Sequence, residues 1–187
     1  MVIFDIRVAK PNDVPSLVAL ANQYTYQNLS EQNRQSGFLT GVFSYASVQA
    51  MIASASSIVA FNQEELAGFI INTRLPASQY PPLVQEIIKE LPKLTFGNKP
   101  VEQYHYFFYG PVLVAHKYRN QGLLRQMRQM LQKTKEELKS NFNLGIAFID
   151  QANVASYRVH TEHLGFENIG EITFNNRKYA ILVFSLL

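Results

Sequence analysis

In Val112-Leu113-Val114-Ala115-His116-Lys117-Tyr118-Arg119-Asn120-Gln121-Gly122-Leu123-Leu124-Arg125, an apolar strand-like run passes through a tight polar turn directly into a helical pattern. The first backbone N–H groups of such a helix have no internal acceptor, and the aligned peptide dipoles make that end positive. A glycine at the junction lets a ligand approach the backbone closely. Gln121 to Leu124 contain no Ser, Thr or Asp cap, so the amides either take Asn120 as a cap or are left for an anion. Arg119 and Arg125 flank them, with Lys117 and Arg128 within reach, and a diphosphate matches that demand.

The charge balance agrees with a local rather than a global anion site. Lys plus Arg number 17 against 14 Asp plus Glu, a formal net charge of +3, too small for a committed nucleic-acid binder. The surplus sits between His116 and Ser140, where Lys117, Arg119, Arg125, Arg128, Lys133, Lys135 and Lys139 face only Glu136 and Glu137. A solvated helix face is the plainer reading of the same residues. Single-stranded nucleic acid would want aromatic rings interleaved with these charges, and Tyr118 stands alone among them.

With 187 residues, 47% of them hydrophobic and including 13 Phe and 10 Tyr, the chain can bury a substantial core, which excludes a disordered or low-complexity segment. It has no cysteine, which excludes disulfide scaffolds, thiolate metal sites and cysteine nucleophiles. Four His residues without metal-like spacing give no expected metal site. Met1 to Arg7 lacks a basic region followed by an apolar stretch, and no 18-residue apolar run occurs. The expected address is the cytoplasm, with no membrane partner.

Periodicity supplies the element order. Val2 to Val8 reads as a strand. Lys10-Pro11-Asn12-Asp13 offers a capping side chain for a helix from Asp13 to about Asn28. Ser30 to Gly41 reads as loop, and Ser44 caps a second helix ending near Ala55. Ser57 to Asn62 and Leu66 to Arg74 form a hairpin around Gln63-Glu64-Glu65. Residues 76 to 103 are too long for a hairpin loop, and Leu83, Val84, Ile87, Ile88 and Leu91 predict an amphipathic helix between Pro82 and Pro92, as a lid or a structural flap. Tyr104 to Val114 is a strand interrupted by Gly110-Pro111, followed by a helix to about Lys139 whose apolar face includes Leu138. Leu144 to Ile149, a helix from Asn153 to His163, and a hairpin of Phe166 to Phe174 with Lys178 to Leu187 turned at Asn175-Asn176 complete the chain. The fold class is mixed α/β, a sheet covered by helices in the order β-α-α-β-β-β-α-β-α-β-β. One domain is expected over residues 1–187, with the 76–103 insertion between the third and fourth strands.

Tyr118-Arg119-Asn120-Gln121-Gly122-Leu123-Leu124 after an apolar strand resembles the acyl-CoA signature of the GCN5-related N-acetyltransferases, Gln/Arg-x-x-Gly-x-Gly/Ala. Arg119 and Gly122 match the first and fourth positions, and Leu124 departs at the sixth. Asn153-Val154-Ala155-Ser156, with Leu164-Gly165-Phe166 downstream, resembles the family's Asn-x-x-Ser/Ala helix ending in Gly-Phe, but with one residue too many. The family's frequent Tyr falls on His160 or Thr161, depending on the end from which one counts, and Tyr157 lies one turn away. The family's element order covers essentially residues 2 to 187.

The resemblance implies the acyl-CoA N-acyltransferase fold and acetyl-CoA as co-substrate, with no metal. Backbone groups of Val112, Leu113 and Val114 would pair with the pantetheine arm like an added strand. The amides of Arg119, Asn120, Gln121, Gly122, Leu123, Leu124 and Arg125 would hold the pyrophosphate. Asn153 would hydrogen-bond the arm, or serve as a plain helix cap. The implied reaction is attack of a primary amine of a small molecule or peptide on the thioester in a ternary complex. The strand from Tyr104 to Val114 carries no carboxylate, so the base is His105 or a water held by Tyr104, Tyr106 or Tyr109. Tyr157 and His160 are the candidate acids. The acceptor pocket falls to Tyr24, Tyr26, Phe38, Phe43 and the insertion. A homodimer is compatible with this reading, nucleic acid is not an expected partner, and the alternative is an acyl-CoA-binding regulatory module with little or no transfer activity.

Overall fold

In the computed structural model, residues 3–137 and 141–186 are described. In chain order the main elements are β1 (Asp5–Val8), α1 (Val14–Gln23), the short α2 (Glu31–Arg34), α3 (Tyr45–Ser54), β2 (Ile58–Asn62) and β3 (Glu65–Thr73). Then come α4 (Pro82–Glu90), β4 (Thr95–Phe96), β5 (Lys99–Pro100), β6 (Tyr106–Val114), α5 (Leu123–Glu137), β7 (Leu144–Asp150), α6 (Val154–Arg158), β8 (Glu167–Phe174) and β9 (Arg177–Ser185). This is the expected mixed α/β fold. The expected element ends at Val2, Lys139 and Leu187, and Leu138 on the helix face, lie outside the described residues.

The chain divides into two compact units, and one of the divisions falls in β6, after Phe108. The first holds β1, β2, β3 and the second part of β6 side by side. β1 and β3 both run antiparallel to β2. Val59, Phe69 and Ile71 face Val14, Leu17 and Ala21 of α1 and Val48 of α3 in one core. The alternate face carries α5, whose Leu123, Met127 and Leu131 are buried. Covered on both sides, β3 is buried at every position from Leu66 to Thr73, which is why its sequence runs apolar instead of alternating.

At the start of this unit Asp13 does not cap α1 with its side chain. Its carboxylate accepts the Lys10 N–H at 2.7 Å and two Arg7 N–H groups at 2.7 and 2.8 Å. Those Arg7 bonds hold the carboxylate below its ordinary range and raise the Arg7 guanidinium in turn. The helix α1 stops at Gln23, five residues before the expected Asn28. Extended pairing displaces it: Leu39 N–H donates to Tyr24 O at 2.8 Å and Tyr26 N–H to Leu39 O at 2.9 Å. Ser44 caps α3 as expected, accepting from Ser47 N–H. The β2–β3 turn is Gln63-Glu64, with Gln63 at φ +56, and Glu65 already belongs to the strand.

The second unit holds the first part of β6 with β7, β9 and β8 in that order. The β6–β7 pair is parallel over Tyr106↔Leu144 to Phe108↔Ile146, and β9 is antiparallel to both β7 and β8. The Asn175-Asn176 turn has φ +48 and +60, the left-handed pair that a tight hairpin needs. Strand β6 starts two residues later than expected because Val101–Gln103 forms a 3₁₀ turn. The insertion holds the predicted helix, and also a small hairpin of β4 and β5 that periodicity does not predict.

The helix α4 is part of this unit's core. Val84, Ile87 and Leu91 pack with Tyr106, Phe108, Leu144, Ile146, Ile181 and Val183, and Ile87 and Leu91 are essentially fully buried. Each such side chain contributes roughly 1.5–3 kcal/mol by burial, too much for a segment that lifts freely. Ile87→Ala is expected to lower the unfolding free energy by about 2–5 kcal/mol in denaturant titration, and a loss below about 1 kcal/mol would show that α4 stands off the sheet.

Candidate functional site

The turn after β6 is built from alternating backbone twists. Gly110 at φ +126 is joined to Pro111 by a cis peptide, and β6 runs through the pair without a break, where the sequence predicts an interruption. Beyond Val114, Ala115 N–H donates to Ala67 O at 2.9 Å, and His116–Tyr118 makes one 3₁₀ turn. Asn120 at φ +60 and Gly122 at φ +73 then swing the chain into α5. The first helical bond is Gln126 N–H to Gly122 O, so the N–H groups of Leu123, Leu124 and Arg125 precede the internal ladder. A Cβ placed on Gly122 would meet nothing within 4 Å. The junction is therefore open on that side, and this backbone fits a bulky anion such as a diphosphate.

Side chains from distant parts of the sequence pin this turn. The Tyr24 hydroxyl accepts the His116 N–H at 2.7 Å, and the Arg119 guanidinium carbon lies 5.7 Å from the Tyr24 ring centre. Arg119 Nε donates to Val114 O at 2.9 Å, and burial lowers its guanidinium from the ordinary arginine range. On the other flank Glu65 accepts Lys117 Nζ at 2.6 Å and the Tyr118 hydroxyl at 2.9 Å, and Asn62 Nδ2 donates to that hydroxyl at 3.1 Å. The Lys117 bond holds Glu65 below its ordinary range. Lys117 is thus committed to Glu65, and Arg119 in part to the strand end. Arg125 is exposed, and half-buried Arg128 approaches the Tyr109 ring. Tyr24 and Glu65 are 92 and 52 residues from their partners, so no local motif could have disclosed these roles.

The remaining candidates lie in the second unit. Asn153 is buried and caps α6, its Oδ1 3.3 Å from Ser156 N–H. After Arg158 the helix widens to a π turn over Val159–His163, closed by Leu164 N–H to Val159 O at 3.1 Å. A π turn holds one more residue than an α turn. It absorbs the extra residue found between Asn153 and Gly165.

His160 lies inside that turn, buried against Phe166 with ring centres 5.1 Å apart. Its Nδ1 is 2.7 Å from Ser156 O, and since a carbonyl only accepts, the proton sits on Nδ1. Tyr157 is half-buried, and its hydroxyl accepts from Asn168 Nδ2 at 3.2 Å. His105 is exposed, one residue before β6.

Of the residues assigned to an acceptor pocket, Phe43 is in the core with α1, and Tyr26 packs edge-on to Phe38 with Arg34 4.0 Å over its ring. Burial pushes the Tyr109 phenol far above its ordinary range. Among the described residues no cluster of three or more His, Asp or Glu could hold a metal, and no helix is long and apolar enough to cross a membrane.

No protein-family model matches the sequence, and no curated protein matches it either. Solved structures do match in fold. A GNAT-family acetyltransferase from Streptococcus pneumoniae is 15% identical, with 98% of this chain and 99% of that one covered and a TM-score of 0.61. The ribosomal-protein-S18-alanine N-acetyltransferase from Escherichia coli is 14% identical over 98% and 94%, with a TM-score of 0.61. NAA60 from Arabidopsis thaliana, solved with acetyl-CoA, is 11% identical over 98% and 99%, with a TM-score of 0.63. Matched over nearly the full length of each chain, these structures show that the chain has the fold of the GNAT-family acetyltransferases.

Proposed function

We propose that this chain is an acyltransferase that moves an acetyl group from acetyl-CoA to a primary amine of a small molecule or peptide, by direct attack in a ternary complex. The observation that carries the reading is the set of amides at Leu123, Leu124 and Arg125 beside an open Gly122. They supply directed N–H donors and a positive helix end to a diphosphate. Arg119 and Arg125 add charge on either side. Val112, Leu113 and Val114 offer strand-edge groups to the pantetheine arm, and Asn153 is assigned to the same arm from the resemblance.

Acetyl-CoA is substrate here and supplies an acyl carbon activated as a thioester. An alkylammonium acceptor, with a pKa near 10, must first lose a proton. Exposed His105 or water takes it. The neutral nitrogen bonds to the acyl carbon as the carbon–sulfur bond breaks, the departing thiolate takes a proton from an acid, and the proton the new amide nitrogen sheds restores that acid.

Between the two donors on the helix, geometry favours Tyr157. In accepting from Asn168 its hydroxyl uses a lone pair and keeps its proton to give. His160 spends its Nδ1 proton on Ser156 O, so the neutral ring has only an acceptor at Nε2. We assign Tyr157 as the acid and His160 to holding the π turn.

Two experiments test the reading. Gly122→Asp sets a carboxylate at the diphosphate position, in a left-handed conformation that Asp tolerates. Coenzyme A affinity by calorimetry is expected to fall about a hundredfold or more with little change in thermal midpoint, since like charges about 4 Å apart repel by several kcal/mol. Unchanged affinity overturns the site. In a thiol-release assay with a diverse amine panel, Tyr157→Phe is expected to lower kcat by about 10²–10⁴ at saturating acetyl-CoA. A loss below about tenfold removes Tyr157 from the mechanism, and tight coenzyme A binding without transfer to any amine would favour the regulatory module.

A further inference from the structure

One brace on the turn that leads into α5 is a hydroxyl from the residue that ends α1. Tyr24 closes the C-terminal end of α1, and its Oη accepts the backbone N–H of His116, the first residue of the 3₁₀ turn, at 2.7 Å. The same ring faces the guanidinium of Arg119 at 5.7 Å, and Arg119 Nε in turn holds Val114 O at the strand end. One side chain therefore touches the turn at its start and the cation that precedes Asn120 and Gly122. The ring is half-buried, with its main-chain N–H and C=O both engaged, by Ala21 O and Leu39 N–H. The main chain that carries the ring is thereby held in the pairing that ends α1.

We infer that Tyr24 is a positioning residue for the diphosphate site: its hydroxyl fixes the 3₁₀ turn, and its ring fixes Arg119, so that the α5 amides are preset for the anion. From the sequence alone Tyr24 falls to the acceptor pocket instead. The inference rests on the acyl-carrier reading of the turn. It differs from that reading in placing part of the binding energy on a residue that touches no phosphate. Preset donors bind without a further ordering cost, so a loosened turn weakens binding while the chemical step at the acyl carbon is untouched.

The test is Tyr24→Phe, which keeps the ring and removes only the hydroxyl. Calorimetry with coenzyme A is expected to show affinity weakened roughly three- to tenfold, the span set by losing one hydrogen bond to a backbone donor. The KM for acetyl-CoA should rise by the same factor with kcat unchanged. Acetyl-pantetheine, which lacks the diphosphate, is expected to be used equally well by variant and parent. Tyr45→Phe, an exposed ring at the start of α3, should alter neither quantity.

Affinity within twofold of the parent overturns the inference. So does an equal loss with acetyl-pantetheine, which would put Tyr24 at the reacting end. A parent protein that binds no coenzyme A overturns the acyl-carrier reading and this inference with it, whereas parental binding unaltered in Tyr24→Phe overturns the inference alone.

Discussion

An α-helix cannot satisfy its own first amides, and in this chain that deficit is placed where a strand, a 3₁₀ turn and a glycine leave it open. Leu123, Leu124 and Arg125 precede the internal ladder, which begins at Gln126. Two other helices close this end with a side chain, Ser44 on α3 and Asn153 on α6, while α1 and α4 place a proline in the first turn. At α5 the residue before the helix is Gly122, which has no side chain to donate or accept. The proposed chemistry depends on that difference.

The first unit's architecture holds the open end still. β3 is buried on both faces and Ala67 O accepts Ala115 N–H, which anchors the turn to the sheet. Tyr24 from α1 and Glu65 with Asn62 from the β2–β3 hairpin grip it on two flanks. The paired Lys117 also shows that a run of cations is not a run of ligands, because one of its charges is consumed in holding the turn. In the second unit the same economy appears at α4, which the sequence left between lid and flap and which packs as core.

What was legible in the sequence was local. The glycine at 122, the Ser44 cap, the Asn175-Asn176 turn and the apolar stripe of α4 follow from rules acting within a few residues. The length of α1 was not legible, because Tyr24 and Tyr26 exchange backbone bonds with Leu39, a partner fifteen residues away in sequence from Tyr24. The hairpin of β4 and β5 spans only two residues a side, below what periodicity can register. The surplus residue between Asn153 and Gly165 was visible as a mismatch, and the π turn explains it. In the candidate site, the backbone turn could be read, whereas the braces Tyr24 and Glu65 and the tautomer of His160 required the fold.

The most direct test of the central claim is a nitrogen-15 NMR titration of the intact chain with coenzyme A, following backbone amides. Saturable shifts largest at Gly122, Leu123, Leu124 and Arg125, and diminished with pantetheine, are the predicted result. Binding that leaves those amides unmoved while shifts gather on other segments would contradict it.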